Sequence, residues 1–348
     1  MRLARSIACA ALVAVTSHSA LARHDAEPFQ RGICYAHAWR GLGQAGYGSP
    51  ASEKTLVRLQ RLGVGWISLT PFGFMESTRA VEIRVAGAHG GESDERMRLE
   101  VAHAHALGIK VALKPHLWIR HGEWQGDLQF ADDAAFRTWF KSYRAFILRY
   151  AALAERDGYD LLVIGTELKS ATACDPECWR ALIAELRAVY HGPLTYAANW
   201  DEAERVPFWS ALDFIGIDAY APIATRPGAK EPELCLSWNT LAKSLEALSK
   251  RTGKRVLLTE LGYRATRDAA MAPATWPEAD PDPHFDGAEQ ASCFRAAFST
   301  LWGQRWLAGV YVWKWFTDSR DEEGPTDFSP ADKPAEAVIG DYYRRDFR

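Results

Sequence analysis

Short apolar segments and amphipathic segments alternate along this chain of 348 residues, and the alternation restricts the fold more than any other feature. Eight apolar segments have the length and composition of buried strands: residues 32–39, 65–74, 110–119, 160–168, 194–200, 213–220, 255–263 and 307–315. Six helical patterns lie between them: residues 52–62, 93–107, 132–155, 177–190, 233–251 and 287–304. Strands that alternate with helices predict a parallel sheet, and eight such units predict a closed barrel. We therefore predict an α/β fold with one (β/α)8 TIM-barrel domain over residues 23–348.

The loops at the two ends of the predicted barrel differ in length. Most turns from helix to strand are short and contain a glycine, such as Gly63 or Gly158, which suits a helix C-cap. The loops from strand to helix are often much longer: residues 73–92, 118–131, 264–286 and 316–334. Because barrel enzymes carry their active sites at the carboxyl ends of the strands, long loops on that face indicate an enzyme. The loop that contains Trp276 is a candidate lid or subsite wall.

Residues 1–22 have the features of a signal peptide: two arginines, a short apolar segment and a small-x-small cleavage site that ends at Ala22. The apolar segment is too short to span a membrane as a stable helix. Cleavage would remove two of the 41 basic residues and none of the 44 acidic residues, which leaves a net charge of −5. That charge argues against nucleic acid or an anionic membrane as a partner. We expect an exported monomer, periplasmic or secreted.

Five cysteines would remain after cleavage: Cys34, Cys174, Cys178, Cys235 and Cys293. In an oxidising compartment at least one of them must stay unpaired. A local disulfide would fit Cys174 and Cys178, which flank a short predicted loop, whereas Cys34 lies in an apolar strand and is expected to be a buried thiol. The sequence leaves the rest of the pairing open. A zinc site needs four close ligands, and no second cysteine pair supplies them, so we expect no metal.

Two of the predicted strands end on the same dipeptide, Thr-Glu. The apolar run within residues 160–168 ends on Glu167, and the apolar run within residues 255–263 ends on Glu260. These are the fourth and seventh strands, so both carboxylates would face the mouth of the barrel. A retaining glycosidase needs two carboxyl groups about 5 Å apart, one as general acid and base and one as nucleophile. The alternative is that each glutamate only pairs with a nearby cation, for example Lys169 or Arg264.

The motifs around these glutamates resemble those of a known enzyme family. VIGTEL and LLTELGY contain the two glutamates, LKPHLW lies on the third strand, and IGIDAYAP lies on the sixth. Together they resemble glycoside hydrolase family 113, which belongs to clan A of the retaining glycosidases and whose characterised members are β-1,4-mannanases. The resemblance implies that Glu167 is the acid/base and Glu260 the nucleophile.

One position departs from the wider clan. Most clan members place Asn before the acid/base, where this chain has Thr166. The contact to the sugar 2-hydroxyl that the Asn usually makes must therefore come from another residue. A mannoside, whose 2-hydroxyl is axial, is compatible with this change.

The other predicted strand ends carry polar and aromatic side chains that suit a sugar site, because sugar rings stack on aromatic rings and sugar hydroxyls need fixed polar partners. These candidate substrate-binding residues are His37, Trp39, Lys114, His116, Trp118, Asn199, Trp200, Asp218, Tyr220, Trp313 and Trp315. We expect Tyr220 to donate a hydrogen bond to the nucleophile, and Lys114, as a buried ammonium, to need a carboxylate or carbonyl partner. Strand alternation lets only one of Trp313 and Trp315 face the sugar. The alternative for each aromatic ring is packing between strands and helices.

Other enzyme classes lack their motifs here. A metal hydrolase on this fold usually has His-x-His on its first strand, but His37 has no second histidine beside it. His103 and His105 have the spacing but lie on a predicted helix, where their side chains point apart. No phosphate-binding loop or dinucleotide glycine motif occurs in the right context, and no G-x-S-x-G serine motif is present. We therefore expect no cofactor.

We expect a retaining glycoside hydrolase that cleaves a β-linked oligo- or polysaccharide, with β-1,4-mannan as the expected substrate, by a two-glutamate double displacement. Two alternatives stay open. One is an exo-acting or cell-envelope glycosidase with another β-linked sugar, and the other is a glycan-binding barrel without catalysis. The presence of both carboxylates argues against the second alternative.

Overall fold

The structure, a computed structural model, describes residues 28–38, 45–85, 92–276, 284–318 and 323–347. The predicted signal peptide and Trp39 lie outside these residues. The strands are β1 (Gln30–Ala36), β2 (Trp66–Leu69), β3 (Phe72–Met75), β4 (Arg84–Val85), β5 (Lys110–Leu113), β6 (His116–Ile119), β7 (Leu161–Thr166), β8 (Leu194–Asn199), β9 (Ile215–Asp218), β10 (Val256–Leu261) and β11 (Leu307–Phe316). The helices are α1 (Pro50–Leu62), α2 (Asp94–Ala106), α3 (Asp133–Asp157), α4 (Lys169–Cys174), α5 (Pro176–Val189), α6 (Glu231–Thr252), α7 (Gly287–Leu301) and α8 (Pro334–Tyr343).

Eight of the strands form a closed barrel in the order β1-β11-β10-β9-β8-β7-β5-β2. All neighbouring pairs in the barrel are parallel, and each strand lies beside the barrel strands that precede and follow it in the chain. The predicted (β/α)8 barrel is therefore confirmed.

Two predicted strands, at residues 65–74 and 110–119, are each divided in two by a proline. β2 ends before Pro71 and β5 ends before Pro115, because proline has no N–H to donate to the sheet. Beyond the prolines, β3 and β6 pair in parallel with each other, and β4 adds antiparallel to β3. This three-stranded sheet continues from the carboxyl ends of two barrel strands and forms part of the rim of the mouth.

Helix ends follow local signals. The Ser49 side chain accepts a hydrogen bond from the Ser52 N–H at the start of α1, and Gly63 ends that helix with a φ of 94°. Asp132 caps α3 in the same way, and Gly158 ends it. The sequence pattern does not indicate α4, which has six residues, or α8, which follows the last barrel strand. Residues 201–212, too short for a full helix, form two 3-10 turns.

Apolar side chains fill the barrel and also join it to the surrounding helices. The interior cluster includes Cys34, Ala112, Leu161, Leu257 and Tyr311. The outer cluster includes their strand neighbours Ile33, Leu113, Leu162, Leu258 and Val312. The alternation of the two sets along each strand is the pattern of a barrel with a packed interior. Because side chains fill the interior, a ligand cannot enter it and would bind at the mouth, the end of the barrel where the strands have their carboxyl ends.

The five described cysteines are free thiols. The local disulfide considered for Cys174 and Cys178 is not formed, and the Asp175 side chain between them caps α5. The Sγ of Cys174 donates to the carbonyl of Ser170 at 3.3 Å, and the Sγ of Cys178 donates to Oδ2 of Asp175 at 3.1 Å. Cys34 is a buried thiol, as expected.

Among the helices that the structure describes, none combines the length and the apolar character needed to cross a bilayer.

Candidate active site

Strand β7 contains a β-bulge just before Glu167. Val163 lies opposite Thr195 and Thr166 lies opposite Ala197, so two residues of β7 oppose one residue of β8 at this point. Gly165, in the bulge, faces the helix layer, where a Cβ would lie 2.7 Å from the hydroxyl oxygen of Tyr143. Only glycine fits this close approach. The bulge gives Thr166 the orientation of Val163, toward the barrel interior.

Strand β10 has the same irregularity at its own Thr-Glu pair. Leu258 lies opposite Ile217 and Glu260 lies opposite Asp218 of β9, which leaves Thr259 as the extra residue. The Thr259 hydroxyl donates to Oδ1 of Asp218 at 2.7 Å, inside the barrel mouth. Thr259 and Glu260 therefore both contribute to the mouth, which consecutive residues of a regular strand cannot do.

Glu167 lies directly after β7 and has a φ of 52°, in the left-handed region. Its N–H donates to the carbonyl of Ala197 at 2.7 Å. The next N–H, that of Leu168, donates to the Tyr196 hydroxyl at 2.7 Å, and this hydroxyl donates to Oε1 of Glu202. These contacts hold the backbone in a conformation that non-glycine residues rarely adopt.

The carboxyl group of Glu167 is half-buried and receives both of its hydrogen bonds on one oxygen. Trp124 Nε1 donates to Oε2 at 2.7 Å, and Gln125 Nε2 donates to the same oxygen at 3.2 Å. Oε1 accepts no hydrogen bond from any residue in the described part of the chain. Burial raises the pKa of Glu167 well above its ordinary value, and the charges of Asp218 and Glu260 raise it further.

The carboxyl group of Glu260 is buried and held at both oxygens. The Tyr220 hydroxyl donates to Oε2 at 2.6 Å, and Lys114 Nζ is hydrogen-bonded to Oε1. Burial and the charge of Asp218 raise the pKa of Glu260 to about 7, although Lys114 and Tyr220 act in the opposite direction. The contact that we expected between Tyr220 and this glutamate is present.

Lys114 and Asp218 lie below Glu260 and are buried from solvent. Lys114 Nζ lies 3.0 Å from Oδ1 and 3.2 Å from Oδ2 of Asp218. An ammonium has three N–H donors, and the two oxygens of Asp218 and one oxygen of Glu260 accept all three. Burial lowers the pKa of Lys114, but the two carboxylates outweigh burial and raise it. Lys114 therefore has the carboxylate partners that it needs. We had predicted that Lys114 and Asp218 contact the sugar, but both are buried and not accessible to it.

Aromatic rings line the mouth above these groups. Trp313 stacks on His116 with ring centroids 5.9 Å apart, and Trp276 meets Trp313 edge-on at 6.4 Å. Trp118, Trp200 and Trp276 keep 49%, 38% and 47% of their surface exposed, which leaves ring faces free for a ligand.

Trp315 lies away from the mouth, on the opposite side of β11 from Trp313. It is buried in the outer cluster, and the guanidinium of Arg58 from α1 lies 5.2 Å from its ring centroid. Of the two tryptophans predicted on the last strand, only Trp313 thus belongs to the candidate site. Trp39 lies outside the described residues. His37 is buried at the end of β1, with Nδ1 2.9 Å from Oε1 of Glu92.

Three buried polar atoms near the mouth have no hydrogen-bond partner within the described residues: His116 Nε2, Asn199 Oδ1 and Thr166 Oγ1. His116 Nε2 lies 3.7 Å from Oε1 of Glu260, beyond hydrogen-bond distance. Burial lowers the pKa of His116 well below its ordinary value, and Lys114 and Lys314 add to the effect, so the imidazole is neutral. Buried polar atoms normally have partners, so these three atoms are available for hydrogen bonds to water or to a ligand.

The cations that offered an alternative explanation for the glutamates pair elsewhere. Lys169 Nζ lies 2.6 Å from Oδ2 of Asp201, and Arg264 pairs with Asp268. Glu167 and Glu260 are instead held by residues from distant parts of the chain.

Sequence reasoning missed Trp124 and Gln125. Both lie on the long loop at residues 118–131, whose length and second tryptophan were the only available signals. Over the residues that the structure describes, His, Cys, Asp and Glu side chains form no group of three suited to a metal ion.

The chain resembles known proteins over most of its length. A family model for Glycoside Hydrolase Family 113 matches residues 36–333. The structure is similar to that of a GH113 β-1,4-mannanase, with 26% identity, 91% of this chain and 99% of that chain covered, and a TM-score of 0.78. It is also similar to the GH113 β-mannanase AaManA from Alicyclobacillus acidocaldarius in complex with ManMIm, with 25% identity, 92% and 98% covered, and a TM-score of 0.80.

More distant structures share the fold alone. A β-glucuronidase from Ruminococcus gnavus, in complex with D-glucuronic acid, is 13% identical, with 91% of this chain and 49% of that chain covered and a TM-score of 0.61. No curated protein sequence matches the chain.

Proposed function

The chain belongs to glycoside hydrolase family 113, and from that premise we propose that it is an exported, retaining β-1,4-mannanase in which Glu260 is the nucleophile and Glu167 the acid/base. Both solved family members described above are β-mannanases. They support the sugar class, and the exported location follows from the predicted signal peptide.

The unequal hydrogen bonding of the two carboxyl groups carries the assignment of roles. Glu260 accepts from an ammonium at one oxygen and from a hydroxyl at the other, which favours the ionised form that a nucleophile needs. Among the described residues, no cation pairs with Glu167 and one of its oxygens accepts from no donor. Its pKa is raised well above the ordinary value. A carboxyl group in that position holds a proton near neutral pH, as a general acid must.

The reaction would have two steps. In the first, Glu260 attacks the anomeric carbon, the glycosidic bond breaks, and the proton of Glu167 goes to the leaving oxygen. In the second, a water oxygen attacks the same carbon, its proton goes to Glu167, and the bond to Glu260 breaks. Because Glu260 is uncharged while it is esterified, it no longer raises the pKa of Glu167, which then acts as a base.

The aromatic rings and the unpaired polar atoms would bind the sugar. We assign Trp313 as a stacking surface, Trp118 and Trp200 as further surfaces, and His37, His116, Asn199 and Tyr220 as polar groups of the substrate site. Trp39, at the end of the first predicted strand, stays a prediction.

The test is hydrolysis of β-mannan, glucomannan, cellulose, xylan and chitosan by the purified chain, with the first-formed anomer followed by NMR. We expect mannan or glucomannan cleavage with retention. Turnover only on another polymer favours the glycosidase of different specificity, and binding without turnover favours the non-catalytic barrel.

Variants separate the two glutamates. Glu167→Ala and Glu260→Ala should each lose orders of magnitude in rate, while Glu246→Ala, on the surface of α6, should keep wild-type activity. With azide and an activated substrate, Glu260→Ala should yield the α-glycosyl azide, because azide enters from the face of the missing nucleophile. Glu167→Ala should yield the β-glycosyl azide. If Glu260→Ala still hydrolyses mannan, the assignment of Glu260 as the nucleophile is wrong.

A further inference from the structure

The hydrogen bonds to Glu167 are concentrated on one of its oxygens, although the carboxyl group has two. Trp124 and Gln125 both donate to Oε2, and Oε1 has no partner among the described residues. A carboxyl oxygen that accepts two N–H bonds is a poor place for a proton, since the O–H would point at donors. A neutral carboxyl group in this setting has its favourable proton position on Oε1.

From this geometry we propose that Trp124, assisted by Gln125, is a positioning residue that fixes which oxygen of the acid/base carries the transferred proton. The proposal rests on the proposed role of Glu167. It deepens that role, because Oε1 then donates the proton in the first step and accepts it in the second. Trp124 does not touch the reacting atoms and acts only through Glu167.

The position of Trp124 is fixed from two sides. Its ring lies over Gly126, where a Cβ would collide with the indole. The carbonyl of Gly126 accepts a hydrogen bond from the Ser170 hydroxyl at 2.7 Å, and Ser170 lies in α4, three residues beyond the glutamate. On the other side, Oε2 of Glu123 accepts from the Thr78 N–H at 2.7 Å. The loop and the strand end that carries Glu167 thus form one connected unit.

The two N–H donors also affect the ionisation of Glu167. They stabilise the carboxylate that remains after proton transfer, and the bond from Trp124 lowers the pKa, against the larger effects of burial, Asp218 and Glu260. Lys114 also lowers the pKa of the carboxyl group, and Lys169 Nζ lies 6.0 Å from the centroid of the Trp124 ring, where Trp124→Phe keeps an aromatic ring. Variants at Trp124 and Gln125 leave these charged groups unchanged, so their effects report the hydrogen bonds.

The experiment compares wild type with Trp124→Phe, which keeps a ring but loses the N–H, and with Gln125→Met. The control is Trp306→Phe, at the opposite end of the barrel beside the first residue of β11. The first readout is the pH profile of kcat/KM on the polymer that the wild type cleaves. Loss of the donor should raise the pKa of Glu167 and move the alkaline limb to higher pH, because the acid must be protonated.

The second readout is the dependence on the leaving group, with aryl β-mannosides of the chain length that the wild type accepts. Trp124→Phe should lower kcat/KM roughly 10- to 100-fold for a poor leaving group, the size expected for a hydrogen bond to a charged group. The loss should be less than about threefold for a dinitrophenolate, which departs without a proton. Gln125→Met should shift both readouts in the same direction by less.

The outcomes distinguish the two proposals. If the wild type cleaves no β-mannoside, the proposed function fails. If the wild type is active and Trp124→Phe loses activity equally for both leaving groups, with its alkaline limb unmoved, Trp124 is only structural and the positioning role is wrong. If Trp124→Phe does not fold, the same two readouts on Gln125→Met decide.

Discussion

Lys114 Nζ lies 3.0 Å from Oδ1 and 3.2 Å from Oδ2 of Asp218, with both side chains closed off from solvent. Lys114 also binds Glu260, the proposed nucleophile, so the buried pair of Lys114 and Asp218 holds this carboxyl group from one side. A buried ammonium between two carboxylates leaves one negative charge in excess, and the charge of Asp218 raises the pKa of both Glu167 and Glu260.

Asp218→Asn should move both limbs of the pH profile of kcat/KM to lower pH. After burial, the charge of Asp218 is the largest cause that raises the pKa of Glu167 and of Glu260. The acidic limb follows ionisation of the nucleophile and the alkaline limb follows loss of the acid's proton, so both fall when the charge is removed. Asp341→Asn, on the exposed face of α8, serves as control. Limbs that stay in place in Asp218→Asn would contradict the electrostatic role.

Tyr220→Phe should lower kcat/KM and move only the acidic limb, to higher pH. The hydroxyl donates to Oε2 of Glu260 at 2.6 Å and lowers the pKa of this carboxyl group. A hydrogen bond to a charged group contributes about 1.5–3 kcal/mol, which corresponds to roughly 10- to 100-fold in rate. Steady-state kinetics from pH 4 to 9 measures both effects. An acidic limb at its wild-type position would show that the Tyr220 hydroxyl does not control the ionisation of Glu260.

Glu167→Gly should be more stable than Glu167→Ala, although both lose activity. The φ of 52° at this position is unfavourable for any residue with a Cβ. Left-handed backbone costs a non-glycine residue about 1–2 kcal/mol. Glycine loses more chain entropy on folding than alanine does, but this costs only about 0.4–1 kcal/mol. We expect the free energy of unfolding of the glycine variant to exceed that of the alanine variant by about 1 kcal/mol, measured by urea unfolding. Equal stabilities would mean that the backbone relaxes when the carboxyl group is removed.

Glu100→Gln should weaken the dependence of stability on pH. Glu100, in α2, is fully buried and accepts from the Ser52 hydroxyl at 2.7 Å and from the Gly48 N–H at 2.5 Å. Burial raises its pKa from 4.5 to about 7. Between these two values the folded protein binds more protons than the unfolded chain, so the free energy of unfolding falls as pH rises through this window.

Glutamine does not titrate, so this contribution disappears in Glu100→Gln. Urea unfolding of both proteins at pH 4.5 and pH 8 gives the difference, since the other ionisable groups are common to both. A fall in the free energy of unfolding that is equal in the two proteins would exclude Glu100 as its source.

The barrel and the two glutamates were predictable because they depend on local patterns. Buried strands are continuous apolar runs; Glu167 directly follows β7, and Glu260 is the last residue but one of β10. Prolines were the visible signal for the two divided strands, at Pro71 and Pro115, but the length of the apolar runs outweighed them in the prediction.

Other parts of the site depend on contacts between residues far apart in the chain. Trp124 meets Glu167 across 43 positions, and Lys114 meets Glu260 across 146. No local pattern reports such contacts. Lys114 and Asp218 were expected to bind sugar because strand ends face the mouth, but burial below Glu260 depends on depth in the barrel, which periodicity does not give.

The bulges in β7 and β10 have a consequence for transplanting this chemistry into another barrel. In a regular β10 without the bulge, the side chains of Thr259 and Glu260 would point to opposite faces of the barrel wall. The transplanted segment has to include the bulge residue together with the residue that it contacts. These are Thr259 with Asp218 for the bulge in β10, and Gly165 with Tyr143 for the bulge in β7. The portable unit is thus a glutamate with the irregularity before it.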